Sequence, residues 1–423
     1  MRGIAMSGHE GKRFDTLAVH GGLEPEECKG ATRTPIYQTA SHKFETAREL
    51  SDVFAGKNEG DIYQRLTNPT NRALEKRINL LEGGSGAMVT ASGMAAVNAA
   101  VTAIAGQGDE IVAGNSLFMS TYLLFTKVLP RFGIKTRFVE TTDYSQWKNA
   151  VGPQTRLLYV ETIGNPKLDV PDIQTLSETA HSVDAPLLVD NTLASPYLFR
   201  PFEWGADVVV HSTTKYLNGH GSAVGGVLVD SGNFGWPREK YPDFAPYIDR
   251  KGKLALLDKA WREIHINFGT TQAPFQSYLT MVGMDTLALR MRRHMENSMK
   301  IARFLDGHGA VKWVNYPGLE SSPHRETAGR QFDSKGYGAL ITFGLADHSA
   351  CFKFIDGLKL IYHLANLGDC KTLAIHPAST QYVSFDERDR DALGVPSDMI
   401  RLSVGIEAVE DIMEDIDSAL GGL

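Results

Sequence analysis

The sequence predicts an α/β chain: a mostly parallel sheet with helices on both faces, followed by a smaller C-terminal α/β unit. Three observations predict it. Between about residues 70 and 230, six apolar runs have the length of buried strands: "AMVTAS", "EIVAG", "TRLLYVET", "APLLVDNT", "ADVVVHST" and "VGGVLVD". Segments of helical length lie between them, among them "MAAVNAAVTAIAG", "TYLLFTKVLPRFG" and "DIQTLSETAHSV". Continuous apolar strands alternating with helices need cover on both faces, as parallel sheets have. From about residue 280 a second, shorter series of helix and strand patterns begins.

In chain order, "TNRALEKRINLLEGG" opens the first series with Leu74, Ile78 and Leu81 on one helical face, and Gly83-Gly84 as its cap. Residues 232–268 interrupt the rhythm with aromatic residues, prolines and charge, and are expected as a partly helical insertion beside the sheet. The second series contains the long helix "DTLALRMRRHMENSMKIARFLDGHG", the strand "KGYGALITFGL" and the helix "CFKFIDGLKL". It closes with "AVEDIMEDIDSAL", where Val409, Ile412, Met413, Ile416 and Leu420 share a face.

The bulk properties exclude several function classes. At 423 residues the chain is too long for one small core and points to two domains. A net charge of −7 argues against general binding to nucleic acid or anionic membranes. The most apolar stretch is broken by Asn98 and Thr102, so no membrane span is expected. The N-terminal "MRGIAMSGHEGKRF" lacks the apolar core of a signal peptide and reads as a flexible tail. Three scattered cysteines, Cys28, Cys351 and Cys370, fit a reducing cytoplasm. No metal is expected, because the histidines and cysteines have no ligand spacing.

The chemistry gathers where strands end. In "TASGMAAVNAA" a strand stops at Ser92-Gly93 and a helix starts near Met94, which makes either an anion site or an ordinary turn. "APLLVDNTLASPYL" ends a strand with Asp190, a ligand contact or a cap, and "TRLLYVETIGNP" ends at Glu161, Asn165 and Pro166. "ADVVVHSTTKYLNGHG" carries Lys215 past a buried strand, an expensive position for an ammonium without a partner. An amine, a carboxylate and a phosphate-sized anion site at one sheet edge together suggest pyridoxal 5'-phosphate. Lys215 would join it covalently, and Asp190 would hold the pyridine nitrogen protonated. Ser212 and Thr214, alternating along the strand end, would both donate to the phosphate, and the glycines beyond Lys215 would leave room for cofactor and substrate.

"ASGMAA", "ETIGNP", "LLVDNTLASP" and "HSTTKYLNGHG" resemble the Cys/Met-metabolism family of pyridoxal-phosphate enzymes. The resemblance runs from "TLAVHGG" through "YQRLTNPT" to "IRLSVGIE", nearly the whole chain. It implies an aspartate-aminotransferase-like fold (fold type I), with a mostly parallel seven-stranded sheet. It divides the chain into an arm at 1–69, a large cofactor domain at 70–279 and a C-terminal domain at 280–423. It also implies the cofactor contacts. Asn165 would bond the ring hydroxyl, Phe118 would stack on the ring, and Ser92, Gly93 and Met94 with Ser212 and Thr214 would hold the phosphate. Tyr63 and Arg65 of "YQRLTNPT" would reach the phosphate of a neighbouring subunit, Tyr63 also serving catalysis. The protein would then be a homotetramer of two active dimers. Arg401 would clamp the substrate carboxylate, with Asn366 beside it.

"ANLGDCKTLAIHPAST" is similar to the Gly-Asp-x-Lys form of O-acetylhomoserine sulfhydrylases within that family. The implied reaction is γ-replacement on O-acetyl-L-homoserine by sulfide or methanethiol. Cystathionine γ-synthase and methionine γ-lyase are the alternatives, and a non-catalytic cofactor-binding regulator is the alternative from another class. One departure stands out: the family usually has Leu-Tyr-Gly-Gly-Thr where this chain has "LFMST", so Phe118 lacks the phenol.

Overall fold

In the computed structural model the described residues are 11–333 and 335–423; the start of the expected N-terminal tail, residues 1–10, lies outside them. Seven strands form the larger sheet: β1 (Gly86–Thr90), β2 (Glu110–Gly114), β3 (Lys135–Val139), β4 (Thr155–Glu161), β5 (Leu187–Asp190), β6 (Val208–His211) and β7 (Gly226–Asp230). Their order is β1-β7-β6-β5-β4-β2-β3. Only β7 runs against the others, pairing antiparallel with β1 and β6. The carboxyl ends of β1, β6, β5 and β4 therefore share one edge of the sheet.

The unbroken apolar strands are explained by two cores. Val208 and Val210 face one of them with Leu188, Leu157 and Leu228. Val209 faces the other with Val189, Val227 and Val229. Each side chain is fully enclosed, worth about 1.5–3 kcal/mol per residue. The helix Pro69–Glu82 covers the second of these faces with Leu74, Ile78 and Leu81. Asn68 Oδ1 caps its start by accepting from the Thr70 amide at 2.9 Å, and Gly83 at φ 79° ends it.

The segment 232–268 is partly helical and lies beside the sheet, as expected, and it also contributes core: Trp236, Tyr241, Phe244, Leu254, Leu257 and Ile264 cover one face. Two local expectations are corrected. The helix expected over "TYLLFTKVLPRFG" divides into Met119–Leu123, a π-helical turn at Leu124–Val128 and a 3₁₀ turn at Leu129–Phe132, because Pro130 cannot continue an α-helical ladder. Strand β6 stops at His211, so Ser212 and Thr214 sit in a turn and the strand alternation does not govern them.

The smaller sheet comprises β8 (Trp313–Asn315), β9 (Leu340–Gly344), β10 (Tyr362–His363), β11 (Leu373–Ile375) and β12 (Met399–Ser403). Its order is β10-β11-β12-β9-β8, antiparallel except for β10 with β11. The helices Leu287–Asp306, His348–Gly357 and Val409–Gly421 share its core. The anticipated face of the last helix holds: Val409, Ile412, Ile416 and Leu420 are buried and Met413 packs at the margin. No helix among the described residues is long and apolar enough to cross a membrane.

Candidate active site

Several chain turns meet at the shared strand edge. After β1, Ser92 caps the helix Gly93–Ile104 by accepting from the Ala95 amide at 3.1 Å. The Gly93 and Met94 amides stand at the open end of that helix, where no earlier carbonyl reaches them. A Cβ at Gly93 would lie 2.7 Å from the Ser212 Cβ, and one at Gly226 would lie 2.1 Å from the Ser92 carbonyl oxygen. The β1 turn thus rests directly on the β6 turn and on the start of β7. Ser212 is tied inward by its own amide, which donates to Thr192 Oγ1 at 2.8 Å. The Thr214 hydroxyl donates to the Gly225 carbonyl and accepts from the Gly225 amide, at 3.3 and 3.0 Å.

Asp190 is the next member. Its Oδ1 accepts from the Thr192 amide at 3.0 Å and hydroxyl at 2.5 Å, and Tyr159 donates to its Oδ2 at 3.4 Å. Among the described residues no cation pairs with it, and desolvation pushes the carboxyl above its ordinary value against the pull of Thr192. Part of the residue stays accessible, as expected of a group at the floor of a ligand cavity. In register with Asp190 stands Glu161, whose Oε1 accepts from the Phe118 amide at 2.5 Å. Met94 lies nearby through Thr121, whose hydroxyl reaches the Met94 sulfur at 3.7 Å.

The cationic side is equally unpaired. Lys215 Nζ donates to Asn366 Oδ1 at 2.6 Å, and burial, then the charge of Arg401, lowers its ammonium to about 8. Arg401 is 1% exposed. Its Nη1 donates to Asn165 Oδ1 at 2.9 Å and Gln381 Oε1 at 3.2 Å, its Nη2 to the Asn366 carbonyl at 3.3 Å, and its Nε has no partner. Among the described residues no carboxylate meets this guanidinium, and burial brings it down to about 10.

The donor set fits pyridoxal phosphate. A carboxyl without a cation, an amine without an anion, and a helix end backed by hydroxyls match its ring nitrogen, carbonyl and phosphate respectively. The buried orphan Nε of Arg401 fits a carboxylate that arrives with a substrate.

Most of the residues singled out from sequence are thereby brought together: Ser92, Gly93, Met94, Phe118, Asn165, Asp190, Ser212, Thr214, Lys215, Asn366 and Arg401. Two are not. Tyr63 is 44% exposed and lies beneath the Arg65 guanidinium, which donates to the Ile266 carbonyl. Neither hydrogen-bonds to the Lys215 cluster among the described residues. The glycines after Lys215 also need a different reading. A Cβ at Gly219 would meet the Arg290 guanidinium at 2.0 Å, so that glycine makes room for protein rather than for ligand. Its φ of 72° further favours glycine.

Sequence reasoning missed Thr192, Tyr159, Gln381 and Tyr382. Thr192 had a readable signal, two residues after Asp190. Gln381 and Tyr382 had none, because their loop is folded against Arg401 and Asn165 only in the tertiary structure; the Tyr382 hydroxyl donates to the Asn165 carbonyl at 3.4 Å. His211, the last residue of β6, is buried against Glu82 and bonded to it.

A family model for Cys/Met metabolism PLP-dependent enzymes matches residues 15–421. The chain belongs to that family. It is 40% identical to O-acetyl-L-homoserine sulfhydrylase of Leptospira meyeri, over 96% of each chain. It is 41% identical to O-acetyl-L-homoserine sulfhydrylase 1 of Thermus thermophilus, over 96% of this chain and 100% of that one. The fold matches a Campylobacter jejuni crystal structure assigned as an O-acetylhomoserine (thiol)-lyase, which carries N'-pyridoxyl-lysine-5'-monophosphate, with a TM-score of 0.93 and 31% identity over 97% and 100% of the two chains. Cystathionine gamma-lyase of Lactobacillus plantarum, complexed with L-serine, also matches, with a TM-score of 0.85 and 33% identity over 97% and 99%. Fold type I architecture and dependence on pyridoxal phosphate are thus properties of this enzyme family, whose members act on small molecules. The same fold carries different reactions, so the reaction must be argued from the site.

Proposed function

We propose that this enzyme performs γ-replacement on O-acetyl-L-homoserine, with sulfide or methanethiol as nucleophile, releasing acetate and giving homocysteine or methionine. The observation that carries the reading is the pairing of two cations, the partly buried Lys215 and the buried Arg401, through Asn366 with no carboxylate between them among the described residues. The side chain of Asn366 meets the amine and its carbonyl meets the guanidinium, so an amino acid held by Arg401 through its carboxylate is held close to Lys215. Sequence identity of about 40% to named O-acetylhomoserine sulfhydrylases supports the choice of the acyl-homoserine.

Bound pyridoxal phosphate supplies an electron sink for the carbon skeleton of the amino acid. Lys215 is assigned its covalent attachment, Asp190 its ring nitrogen, Asn165 its ring hydroxyl and Phe118 its ring face. Ser92, Gly93, Met94, Ser212 and Thr214 are assigned the phosphate. Arg401 holds the substrate carboxylate by its free edge. Once the substrate amine has displaced it, Lys215 Nζ would take the proton from the substrate α-carbon and then one from the β-carbon, so that acetate can leave from the γ-carbon; burial, which lowers the amine to about 8, favours the free base this needs. Tyr63 and Arg65, exposed and remote from their own Lys215 cluster, are assigned to the phosphate of a second subunit, within a homotetramer of two active dimers. The same reading divides the chain into an arm (1–69), a cofactor unit (70–279) and a C-terminal unit (280–423), and places the enzyme in the cytoplasm.

The test is product identification. The purified protein is incubated with O-acetyl- or O-succinyl-homoserine plus sulfide, methanethiol or cysteine. Homocysteine or methionine from the acetyl ester is expected. Cystathionine as the main product, or 2-oxobutyrate without replacement, overturns the proposal in favour of a synthase or lyase. Absence of all turnover leaves a cofactor-binding regulator.

A further inference from the structure

Glu161 touches more of the assigned cofactor contacts than any motif predicted. It closes β4 directly in register with Asp190, which closes β5. Its side chain is 4% exposed. One oxygen accepts from the Phe118 amide at 2.5 Å, which sets the residue that opens the helix Met119–Leu123. The Asn165 amide also donates to this carboxyl. Two loops, one after β2 and one after β4, are therefore held by a single side chain beside Asp190.

Among the described residues none supplies a compensating charge to Glu161. The groups facing it are Asp190 from β5, Tyr159 from its own strand and Tyr382 from the loop after β11. Among the described residues no lysine, arginine or histidine forms an ion pair with it. Asp190 has more donors than the two amides on Glu161: the Thr192 amide and hydroxyl donate to one of its oxygens and the Tyr159 hydroxyl to the other. Two carboxylates side by side in a desolvated site do not both ionise, and the one with stronger donors keeps the charge. Burial and the neighbouring Asp190 accordingly hold the Glu161 carboxyl well above its ordinary range.

We propose that Glu161 is a positioning residue: as a neutral carboxylic acid it fixes Phe118 and Asn165 around the cofactor ring without adding a second negative charge beside Asp190. This rests on the pyridoxal phosphate reading of the site. Neutrality matters because Asp190 is assigned to hold a proton on the ring nitrogen, and a second adjacent carboxylate would share that proton and spoil its placement. An ionised Glu161 could anchor the same amides, but only at the cost of that arrangement.

Two variants separate the geometry from the charge. Glu161→Gln keeps an acceptor oxygen and stays neutral; Glu161→Ala removes the anchor. On the holoenzyme, the pH titration of visible cofactor absorbance and the kcat and KM values are measured. On cofactor-free protein at neutral pH, the infrared difference between wild type and Glu161→Gln is measured. The Gln variant is expected to keep the wild-type absorbance titration and kcat within about threefold, as for removal of a group that does no proton transfer. The Ala variant is expected to displace the titration and lower kcat by about a hundredfold, the scale of a misplaced reacting group. The infrared difference is expected to contain the carbonyl stretch of a protonated carboxylic acid, lost in the Gln variant. Absence of that band overturns the proposal, as does a Gln variant as impaired as the Ala variant, or an Ala variant with wild-type titration and kcat. If Glu161→Ala does not fold, the infrared band and the Gln variant still decide. Neither the band nor the absorbance depends on which nucleophile the enzyme uses, so the proposal can fail while the γ-replacement reading stands, and the reverse.

Discussion

Arg401 Nη1 donates to Asn165 Oδ1 at 2.9 Å, joining the last strand of the small sheet to the turn after β4 of the large one. The residue assigned to the substrate carboxylate is thereby braced by the residue assigned to the cofactor hydroxyl. Arg401 has neutral acceptors at its Nη atoms and none at Nε, so its remaining bonding capacity faces a ligand.

Replacing Arg401 by Lys keeps the charge but loses the planar fork. The expected outcome is a rise in KM for the acyl-homoserine and a loss of about 2–5 kcal/mol in kcat/KM, the cost of breaking a desolvated charge pair. An unchanged KM would place the carboxylate elsewhere.

Lys215 gives a stability signature in cofactor-free protein. Its folded value, about 8, lies below the ordinary 10.5, so the folded state holds fewer protons than the unfolded state between those values. Stability therefore rises with pH across that window, and below about pH 8 the burial penalty is borne in full. Relative to Lys215→Met, wild type should recover up to about 3 kcal/mol between pH 8 and 10.5, read by urea unfolding. A parallel pair of curves contradicts the assignment. The same Met variant should retain no turnover.

Phe118 keeps an aromatic face but has no hydroxyl. Phe118→Tyr is expected to raise the rate of γ-elimination from the acyl-homoserine by about a hundredfold, the low end of general-acid assistance. Rates within experimental error of wild type argue that no phenol is needed at this place.

Gly226 lets the Ser92 turn sit on β7, since a Cβ there would stand 2.1 Å from the Ser92 carbonyl oxygen. Gly226→Ala should cost about 1–3 kcal/mol by overpacking and weaken cofactor retention together with stability. Dialysis against buffer followed by absorbance checks the first effect and thermal unfolding the second. Full retention of cofactor would mean that the cradle does not depend on this contact.

Subunit sharing has a direct test by complementation. Arg65→Ala and Lys215→Ala variants should each be inactive, yet regain about a quarter of wild-type activity when co-expressed, because mixed dimers hold one intact site. No recovery would put Arg65 to work within its own chain, or outside the site altogether.

Much of the large sheet was legible because its strands are buried on both faces, and a run such as Val208-Val209-Val210 has few other homes in a folded chain. The site residues at strand ends were legible because polar and charged groups after such runs need partners. Legibility failed where contacts come from distant loops. Nothing in "HPASTQYVSF" announces that Gln381 will meet Arg401 or Tyr382 the carbonyl of Asn165. The aromatic segment 232–268 was legible as a partly helical insertion beside the sheet, but its part in the core was not, because its pattern lacks strand or helix period.

The amino-acid sequence by itself determined six of the seven strands of the large sheet, the positions of Asp190 at a strand end and Lys215 just past one, and the family. These depend on local hydrophobic pattern and on motifs of adjacent residues. Tertiary structure alone decided which groups are left without a counter-charge. Among the described residues Arg401 meets no carboxylate, Asp190 pairs with no cation, and Glu161 has backbone amides, two tyrosines and a carboxylate neighbour. Charge compensation acts through space and desolvation, and neither can be counted along a chain.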